Sequence, residues 1–333
     1  MKLKRKHIFV GTALLLAVII CAGLVLLFLG GTPRQAVILV PPGASEQMVN
    51  DSLAKYYGRD YAASLQRTAS LLGLKLHGHP GRYEIGEGTS RLQAAWRIGK
   101  GRQSPVRLTY NNLRTRADIT RAVAARFCFT PAQLDSALSD ASLMAGYGLT
   151  PDNADALFLN NTIEAWWTDS PRKVIERVGK VYTSFWTDGR REKASKLGLR
   201  PEEVVIIASI AEEETNHRIG RLYINRLQKG MRLQADPTVR FAANDFVMRR
   251  VGRNALAIQS PYNTYRVAGL PPGPIRTVEP ATIDAILDSK PSDDLYMCAL
   301  PDFSGRHAFT ADYSEHQRNA LDYRRALDRR GIK

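Results

Sequence analysis

The sequence predicts an α+β protein that is attached to a membrane by a single N-terminal transmembrane helix. Three observations lead to this fold class. Residues 8–29 form an uncharged apolar run, strand and helix patterns alternate over residues 36–110, and helical periodicity dominates from residue 116 onward. With 333 residues, 44% of them hydrophobic and 24% charged, the chain is long enough for more than one packed unit.

The apolar run at residues 8–29 has the length of a membrane span, since a helix needs about 20 apolar residues to cross a bilayer. A cleaved signal peptide would have an apolar region of about 7–15 residues followed by small residues at the cleavage site. Residues 30–33, Gly-Gly-Thr-Pro, do not fit that site. A lipid-modified Cys21 is also disfavoured, because Ile20 stands where a small residue is expected. We therefore predict an uncleaved helix.

The charges before the span set its orientation. Residues 1–7 contain Lys2, Lys4, Arg5 and Lys6, so the positive-inside rule makes them a cytoplasmic tail and exports the rest of the chain. A net charge of +15 is typical of nucleic-acid binding. Export argues against nucleic acid as a partner. Basic residues recur throughout the exported part, which indicates a solvated surface, with anionic lipid or an acidic wall polymer as possible partners.

Cys128 and Cys298 would both lie in an oxidising compartment. Their apolar neighbours also suit two buried thiols, so the sequence leaves open whether they pair.

Residues 36–110 predict a small α+β unit. Residues 36–40 are a β-branched run stopped by Pro-Pro-Gly, and residues 45–73 have helical spacing. A second strand at 82–85 is followed by a helix that Gly99-Lys100-Gly101 ends, and residues 106–110 alternate as a third strand.

Residues 111–199 predict a mainly helical connector. Its clearest helix begins with Ser170 as cap and Pro171 as first helical residue, and has apolar residues at positions 174, 178, 181 and 185. The last predicted domain is residues 200–333.

The last domain begins with a predicted helix whose C-terminal end places carboxylates at the edge of a core. Residues 204–211 are apolar on almost every side, which indicates a buried helix, and Glu212, Glu213 and Glu214 follow. Consecutive helical positions differ by about 100°, so at most two of these side chains face one cleft. An apolar wall raises the pKa of a carboxyl, as a general acid requires. A solvated, capped helix end is the alternative, and these residues alone leave both open.

Several stretches that follow form an ordered set. They are Tyr223-Ile224-Asn225-Arg226-Leu227, Gly230 to Val239, Ser260 to Tyr265, Gly269 to Ile275, and Gly305 to Phe309. Together they resemble the YceG-like family of endolytic murein transglycosylases, also called MltG. The resemblance is dense over residues 204–330, and a weaker similarity over residues 81–114 is to the family's LysM-like subdomain.

The resemblance implies a catalytic domain at residues 200–333 and a reaction for it. The family's catalytic glutamate directly precedes a Thr, which assigns that role to Glu214 before Thr215. Glu212 is then expected to be structural or peripheral, and Glu213 to be solvated. The implied reaction is endolytic cleavage of the MurNAc-GlcNAc bond of peptidoglycan to 1,6-anhydroMurNAc ends, with Glu214 as general acid and base.

The resemblance also implies a location and a partner. It suggests an enzyme of the cell inner membrane whose catalytic part is periplasmic and which terminates nascent glycan strands. A peptidoglycan synthase is the expected partner.

The resemblance adds seven candidate substrate-binding residues. They are Asn225, Gln234, Asp236, Thr238, Tyr262, Asn263 and His307. Turn formation and helix capping would explain most of them equally well. His307 and His316 have no ligand partners at metal-site spacing, so no metal and no cofactor is predicted.

Two other functions stay open from the residues. A hydrolytic muramidase would need two carboxylates, and Asp236 is the nearest candidate for the second. A non-catalytic wall-binding membrane anchor is the other alternative, although Glu214 and its apolar helix argue against it. The connection between Thr215 and Tyr223 is shorter than the family's usual one, so the cleft is expected to differ there.

Overall fold

The computed structural model describes residues 12, 14–19, 21–23, 25, 30–214 and 218–331. Its helices and small antiparallel sheets confirm the α+β class. Contact clustering divides the chain into two units. Unit 1 contains residues 1–107, 126–128 and 164–170, and unit 2 contains residues 108–125, 129–163 and 171–333.

Half of the residues of the predicted membrane span, 8–29, fall outside the described residues. Residues 14–19 and 21–23 within it are helical, and their large apolar side chains are exposed. Among the residues that the structure describes, no helix is both long and apolar enough to cross a bilayer.

Unit 1 is built from two long helices against a strand pair. Strand β1 (Ala36–Val40) pairs antiparallel with β2 (Gly81–Ile85), so that Ala36 faces Ile85 and Val40 faces Gly81. Between them lie α1 (Glu46–Tyr57) and α2 (Arg59–Leu71). The predicted helical stretch is thus two helices, because Gly58 has a φ of +89° that a helix cannot accommodate.

The core of unit 1 lies between the strands and the helices. Helix α3 (Arg91–Gly99) begins with Ser90, whose hydroxyl accepts a hydrogen bond from the Gln93 backbone. Ile38, Leu53 and Ile98 are completely buried in one cluster. The strands alternate between buried and exposed positions, as a half-buried sheet requires.

The chain continues with a second pair of strands, which are separated in sequence by several helices. Strand β3 (Val106–Tyr110) pairs with β4 (Asn161–Ala165). Between them in sequence lie α4 (Arg116–Ala124), α5 (Pro131–Leu138), α6 (Ala141–Ala145) and a 3₁₀ helix (Pro151–Leu157).

Unit 2 continues with helices in the order of the chain. They are α7 (Pro171–Phe185), α8 (Asp188–Lys196), α9 (Pro201–Glu213), α10 (Arg218–Gln228), α11 (Asp236–Ala242), α12 (Arg253–Leu256), α13 (Pro280–Leu287) and α14 (Tyr313–Arg329). Strands β5 (Tyr296–Ala299) and β6 (His307–Thr310) form an antiparallel pair before α14.

Helix α9 is the central helix of unit 2. It contacts α8, α10, α11, α13 and the 3₁₀ helix, and all its residues from Val204 to Ala211 are buried. This confirms the prediction of a helix that is buried all round. Each large apolar side chain buried here contributes about 1.5–3 kcal/mol of transfer free energy, so α9 is held rigidly up to its last turn.

Cys128 and Cys298 do not pair, and both are free thiols. Cys128 is exposed, so the expectation of a buried thiol is wrong at that position, and Cys298 is half-buried. Apolar neighbours in sequence do not fix which way a loop side chain points.

Candidate active site

Glu214 lies at the C-terminal end of the buried helix α9. Its backbone N–H still donates to the Ile210 carbonyl at 3.3 Å, so the residue is held by the last helical turn. Its side chain is half-buried. Burial raises the pKa of Glu214 to about 7; the charges of Asp236 and Glu213 add to the rise, and Arg240 opposes it. Glu214 is therefore a carboxyl group that exchanges a proton near neutral pH.

The two acids before Glu214 are both held in place. Glu212 accepts hydrogen bonds from the Glu279 backbone N–H at 3.0 Å and the Thr282 hydroxyl at 3.1 Å, which agrees with a structural role. Glu213 is not solvated as expected. Its side chain is only 10% exposed, because two arginines from distant segments cover it.

Those two arginines and Glu213 form a cluster that we call the Glu213 clamp. Arg276 Nη1 donates to Glu213 Oε1 at 2.6 Å, and Arg114 Nη1 donates to Oε2 at 2.8 Å. Arg276 also donates to Asn112 Oδ1 at 2.7 Å and lies 3.5 Å from Glu212. Charge-assisted hydrogen bonds of this kind are about twice as strong as neutral ones. The clamp ties the end of α9 to residues 112–114 and 276.

A second carboxylate faces Glu214 from the start of α11. Asp236 accepts a hydrogen bond from the Tyr265 hydroxyl at 2.7 Å. The Asp236 charge raises the pKa of Glu214. Burial, followed by the charge and hydrogen bond of Asp236 and the charge of Glu214, raises the pKa of Tyr265 far above its usual value. Tyr223 on α10 is completely enclosed beside the same acids, and burial is the main reason that its pKa is raised.

The turn before α11 is fixed by Thr264. Gln234 has a positive φ of 52°, and its backbone N–H donates to the Thr264 carbonyl at 3.2 Å. The Thr264 hydroxyl accepts from the Ala235 backbone at 3.0 Å and lies 2.8 Å from the Thr238 hydroxyl. Thr238 is fully buried, so its observed contacts stabilise the turn that carries Asp236.

Two of the predicted site residues, Asn225 and Asn263, have backbone partners. The Asn225 side-chain amide donates to the carbonyls of Ser292 and Asp294, at 2.8 and 2.9 Å. Asn263 is fully buried and donates to the carbonyls of Leu256, the last residue of α12, and of Ile258 just after that helix. Both side chains fix loops, which is the alternative that the sequence left open for them.

Tyr262 and His307 complete the seven predicted substrate-binding residues. The Tyr262 ring lies 4.6 Å from that of Phe241, and burial raises its pKa to about 12. His307 is on β6, where burial lowers its pKa. Among the described contacts, none joins His307 to Glu214. Within the described ranges there is also no group of three or more His, Cys, Asp or Glu side chains that could hold a metal.

Sequence reasoning missed four residues of this region, Arg114, Arg226, Tyr265 and Arg276. Arg226 is buried on α10 and donates to the carbonyls of Leu295, at 2.6 Å, and Leu233, at 2.7 Å. An arginine inside an otherwise apolar helix face was the available signal for Arg226. Residues 215–217 lie outside the described residues, whereas residues 218–222 of the short connection form the start of α10.

The arrangement suits proton transfer by one carboxyl. Glu214 carries an exchangeable proton near pH 7, and the Tyr265 hydroxyl donates a hydrogen bond to Asp236 beside it. A carboxyl with a pKa near the working pH can give up a proton and take one back.

Comparisons with known proteins agree on one family. A model of the YceG-like family matches residues 38–322. The endolytic murein transglycosylase of Bacillus subtilis (strain 168) is 34% identical over 160 residues, which cover 46% of this chain and 42% of that protein. The endolytic murein transglycosylase of Streptococcus pneumoniae serotype 2 is 30% identical over 139 residues, covering 38% and 24%. The chain thus aligns with less than half the length of these relatives.

A solved structure is similar over most of the chain. The crystal structure of a yceG-like protein from Listeria monocytogenes superposes with a TM-score of 0.56 and 23% identity, covering 86% of this chain and 98% of that one. At 23% identity, this similarity shows that the two proteins share a fold.

Proposed function

The chain belongs to the YceG-like family, and from that membership we propose that it is an endolytic peptidoglycan lytic transglycosylase. The proposal rests chiefly on Glu214, a half-buried carboxyl with a pKa of about 7 at the end of a rigid helix. The Bacillus and Streptococcus relatives are endolytic murein transglycosylases, which supports the same reaction class.

The proposed reaction needs one carboxyl in two protonation states. Protonated Glu214 donates its proton to the oxygen that leaves C1 of MurNAc, and the MurNAc–GlcNAc bond breaks. Ionised Glu214 then takes the proton of the MurNAc C6 hydroxyl, whose oxygen bonds to C1. The products are a 1,6-anhydroMurNAc end and a free GlcNAc hydroxyl, and Glu214 regains its proton. A pKa near 7 suits both steps, because either form is accessible at neutral pH.

Substrate contacts are part of the proposal. Gln234 is exposed and Asp236 and Tyr262 are half-buried, so these three predicted residues have surface available for a sugar. Asn225, Thr238 and Asn263 act through the loops that they fix. His307 stays a predicted substrate contact on β6.

The proposed location is the cell inner membrane. The apolar run at residues 8–29 would span it, with residues 1–7 in the cytoplasm and the remainder in the periplasm. An enzyme held there would meet glycan strands as they are made. Termination of nascent strands, with a peptidoglycan synthase as partner, is the role that we propose.

A hydrolytic muramidase is the second candidate, because Asp236 supplies another carboxylate beside Glu214. In that reaction water attacks C1 and the product has a reducing end. A wall-binding membrane anchor without catalysis is the third. A carboxyl as costly to bury as Glu214 would have no use in a binding protein, which weighs against it.

The test uses the full-length chain and purified peptidoglycan. Soluble products are read by mass spectrometry for the wild type, for Glu214→Gln, and for Glu192→Gln as a matched change of an exposed acid on α8. We expect anhydro ends from the wild type and Glu192→Gln alone. Reducing ends would support the hydrolase, and glycan binding without any product would support the anchor.

A further inference from the structure

A cavity of about 400 Å³ lies between α10 and the segment that follows α13. It is lined by Arg218, Arg221, Ala285, Ser289, Lys290, Pro291 and Ser292. Three of these residues are cations and two carry hydroxyl groups, while no carboxylate lines the cavity. The lining therefore consists of hydrogen-bond donors and positive charge.

The cationic side chains differ in their partners. Arg218 donates to Asp294 Oδ2 through Nε at 3.0 Å and Nη2 at 2.7 Å, which holds it against the loop after α13. Arg221 and Lys290 form no ion pair with any described residue. Two positive charges of the lining are thus uncompensated within the described part of the chain.

Three polar atoms around the cavity are buried without a partner. The Nε of Arg221 and the hydroxyl oxygens of Ser289 and Ser292 make no hydrogen bond to any described residue. A buried polar group left unsatisfied costs about 1–3 kcal/mol. A ligand with several acceptor oxygens would satisfy them together, and negative charge on that ligand would compensate Arg221 and Lys290.

The walls of the cavity are fixed by the structure. Asn225 on α10 holds the loop through its two hydrogen bonds to the carbonyls of Ser292 and Asp294. Gly220 lets α10 approach α13 closely, since a Cβ there would lie only 2.6 Å from Ile286. The donors are therefore held in place before any ligand arrives, which lowers the cost of binding.

We infer that this cavity is an anion-binding subsite, with Arg221, Lys290, Ser289 and Ser292 donating to a carboxylate or phosphate group. This rests on the proposed function for its natural ligand. The cleaved glycan carries peptides on its MurNAc residues, and those peptides end in carboxylates. Helix α10 begins four positions after Glu214, so a strand cleaved at Glu214 brings such peptides to this part of unit 2.

The test compares two substrates with the full-length protein. One is a set of peptidoglycan strands with their peptides, and the other is the same strands after an amidase has removed them. The variants are Lys290→Met, whose side chain is exposed, and Arg221→Gln. Lys229→Met is the matched control, because it removes one exposed positive charge beyond the other end of α10.

We expect Lys290→Met and Arg221→Gln to lower kcat/KM on peptide-bearing strands by about tenfold, the effect of one charge-assisted bond. Activity on stripped strands should not change, and Lys229→Met should match the wild type on both. A loss of equal size on both substrates, or no loss on either, would overturn the peptide carboxylate as the ligand of this subsite.

Binding of inorganic phosphate, followed by thermal shift, separates the subsite from the proposed reaction. Phosphate should stabilise the wild type more than Lys290→Met, even if the wild type cleaves neither substrate. Phosphate could stabilise the wild type more than Lys290→Met while removal of the peptides leaves the activity of the wild type unchanged. In that case the carboxylate assignment is wrong and the ligand is a phosphate. If phosphate stabilises both proteins equally, there is no anion subsite.

Discussion

Removing Arg276 from the Glu213 clamp should shift the pH dependence of catalysis. In the wild type, Arg276 and Arg114 both neutralise Glu213, whose remaining charge raises the pKa of Glu214. The change Arg276→Met leaves Glu213 with one arginine. The less compensated negative charge then favours protonated Glu214, so the pKa of Glu214 should rise further above 7.

The size of the shift follows from the spacing of the two carboxyls. Adjacent helical side chains diverge by about 100°, which places carboxyl groups on the order of 8 Å apart. At an effective dielectric constant of about 20, two charges at that distance interact by roughly 2 kcal/mol. Arg114 still compensates part of this, so about 1 kcal/mol remains, or roughly 0.7 of a pKa unit.

The assay is the pH profile of kcat/KM for release of soluble product. In the proposed reaction protonated Glu214 is the acid of the first step, so activity should fall as pH rises through its pKa. This alkaline limb should move up in Arg276→Met. The double variant with Glu213→Gln should return the limb to the wild-type position or below it. Arg190→Met is the control, since Arg190 pairs with Asp284 elsewhere in unit 2. Reduced activity with an unmoved limb would mean that Arg276 only supports the fold.

Three further predictions concern Glu214, Asp236 and Gly220. Glu214→Gln should abolish cleavage. It should also stabilise the fold at pH 8 by about 3 kcal/mol but not at pH 4, because the raised carboxyl pKa costs stability as pH rises from 4.5 to about 7. Equal urea midpoints at pH 8 would contradict the burial argument. Asp236→Asn should lower the pKa of Glu214 and move the alkaline limb down by roughly one unit while anhydro ends persist; loss of all product would favour the hydrolase. Gly220→Ala should lower the melting temperature, because its new methyl group would clash with Ile286 and lower the free energy of unfolding by about 1–3 kcal/mol. Gly189→Ala on α8 is the control and should not lower the melting temperature, since a methyl group there meets open space.

Patterns along the chain predicted the local elements well. Strands β1 and β3 and the start of α7 match the predicted residues, because alternation, β-branched runs and a helix-initiating Pro act over only a few positions. The burial of α9 was also predictable, since its apolar residues leave no face for water.

The surroundings of Glu213 and Cys128 were predicted wrongly for a common reason. A carboxylate at a helix end next to two others suggests a solvent-exposed side chain. Arg114 and Arg276 nevertheless cover Glu213, although they lie 99 and 63 positions away in the chain. Cys128 has apolar neighbours in sequence but is exposed. Neither outcome is encoded in nearby residues.

The sequence by itself determined the α+β class, the family and the helix that ends at Glu214. Tertiary structure decided what surrounds that carboxyl: Asp236 with its tyrosine partner, Arg240, and the arginines that neutralise Glu213. The physical reason is the distance along the chain over which each effect acts. Secondary structure follows from spacing within a few residues, whereas a pKa depends on charges and burial contributed by every segment that folds against the group.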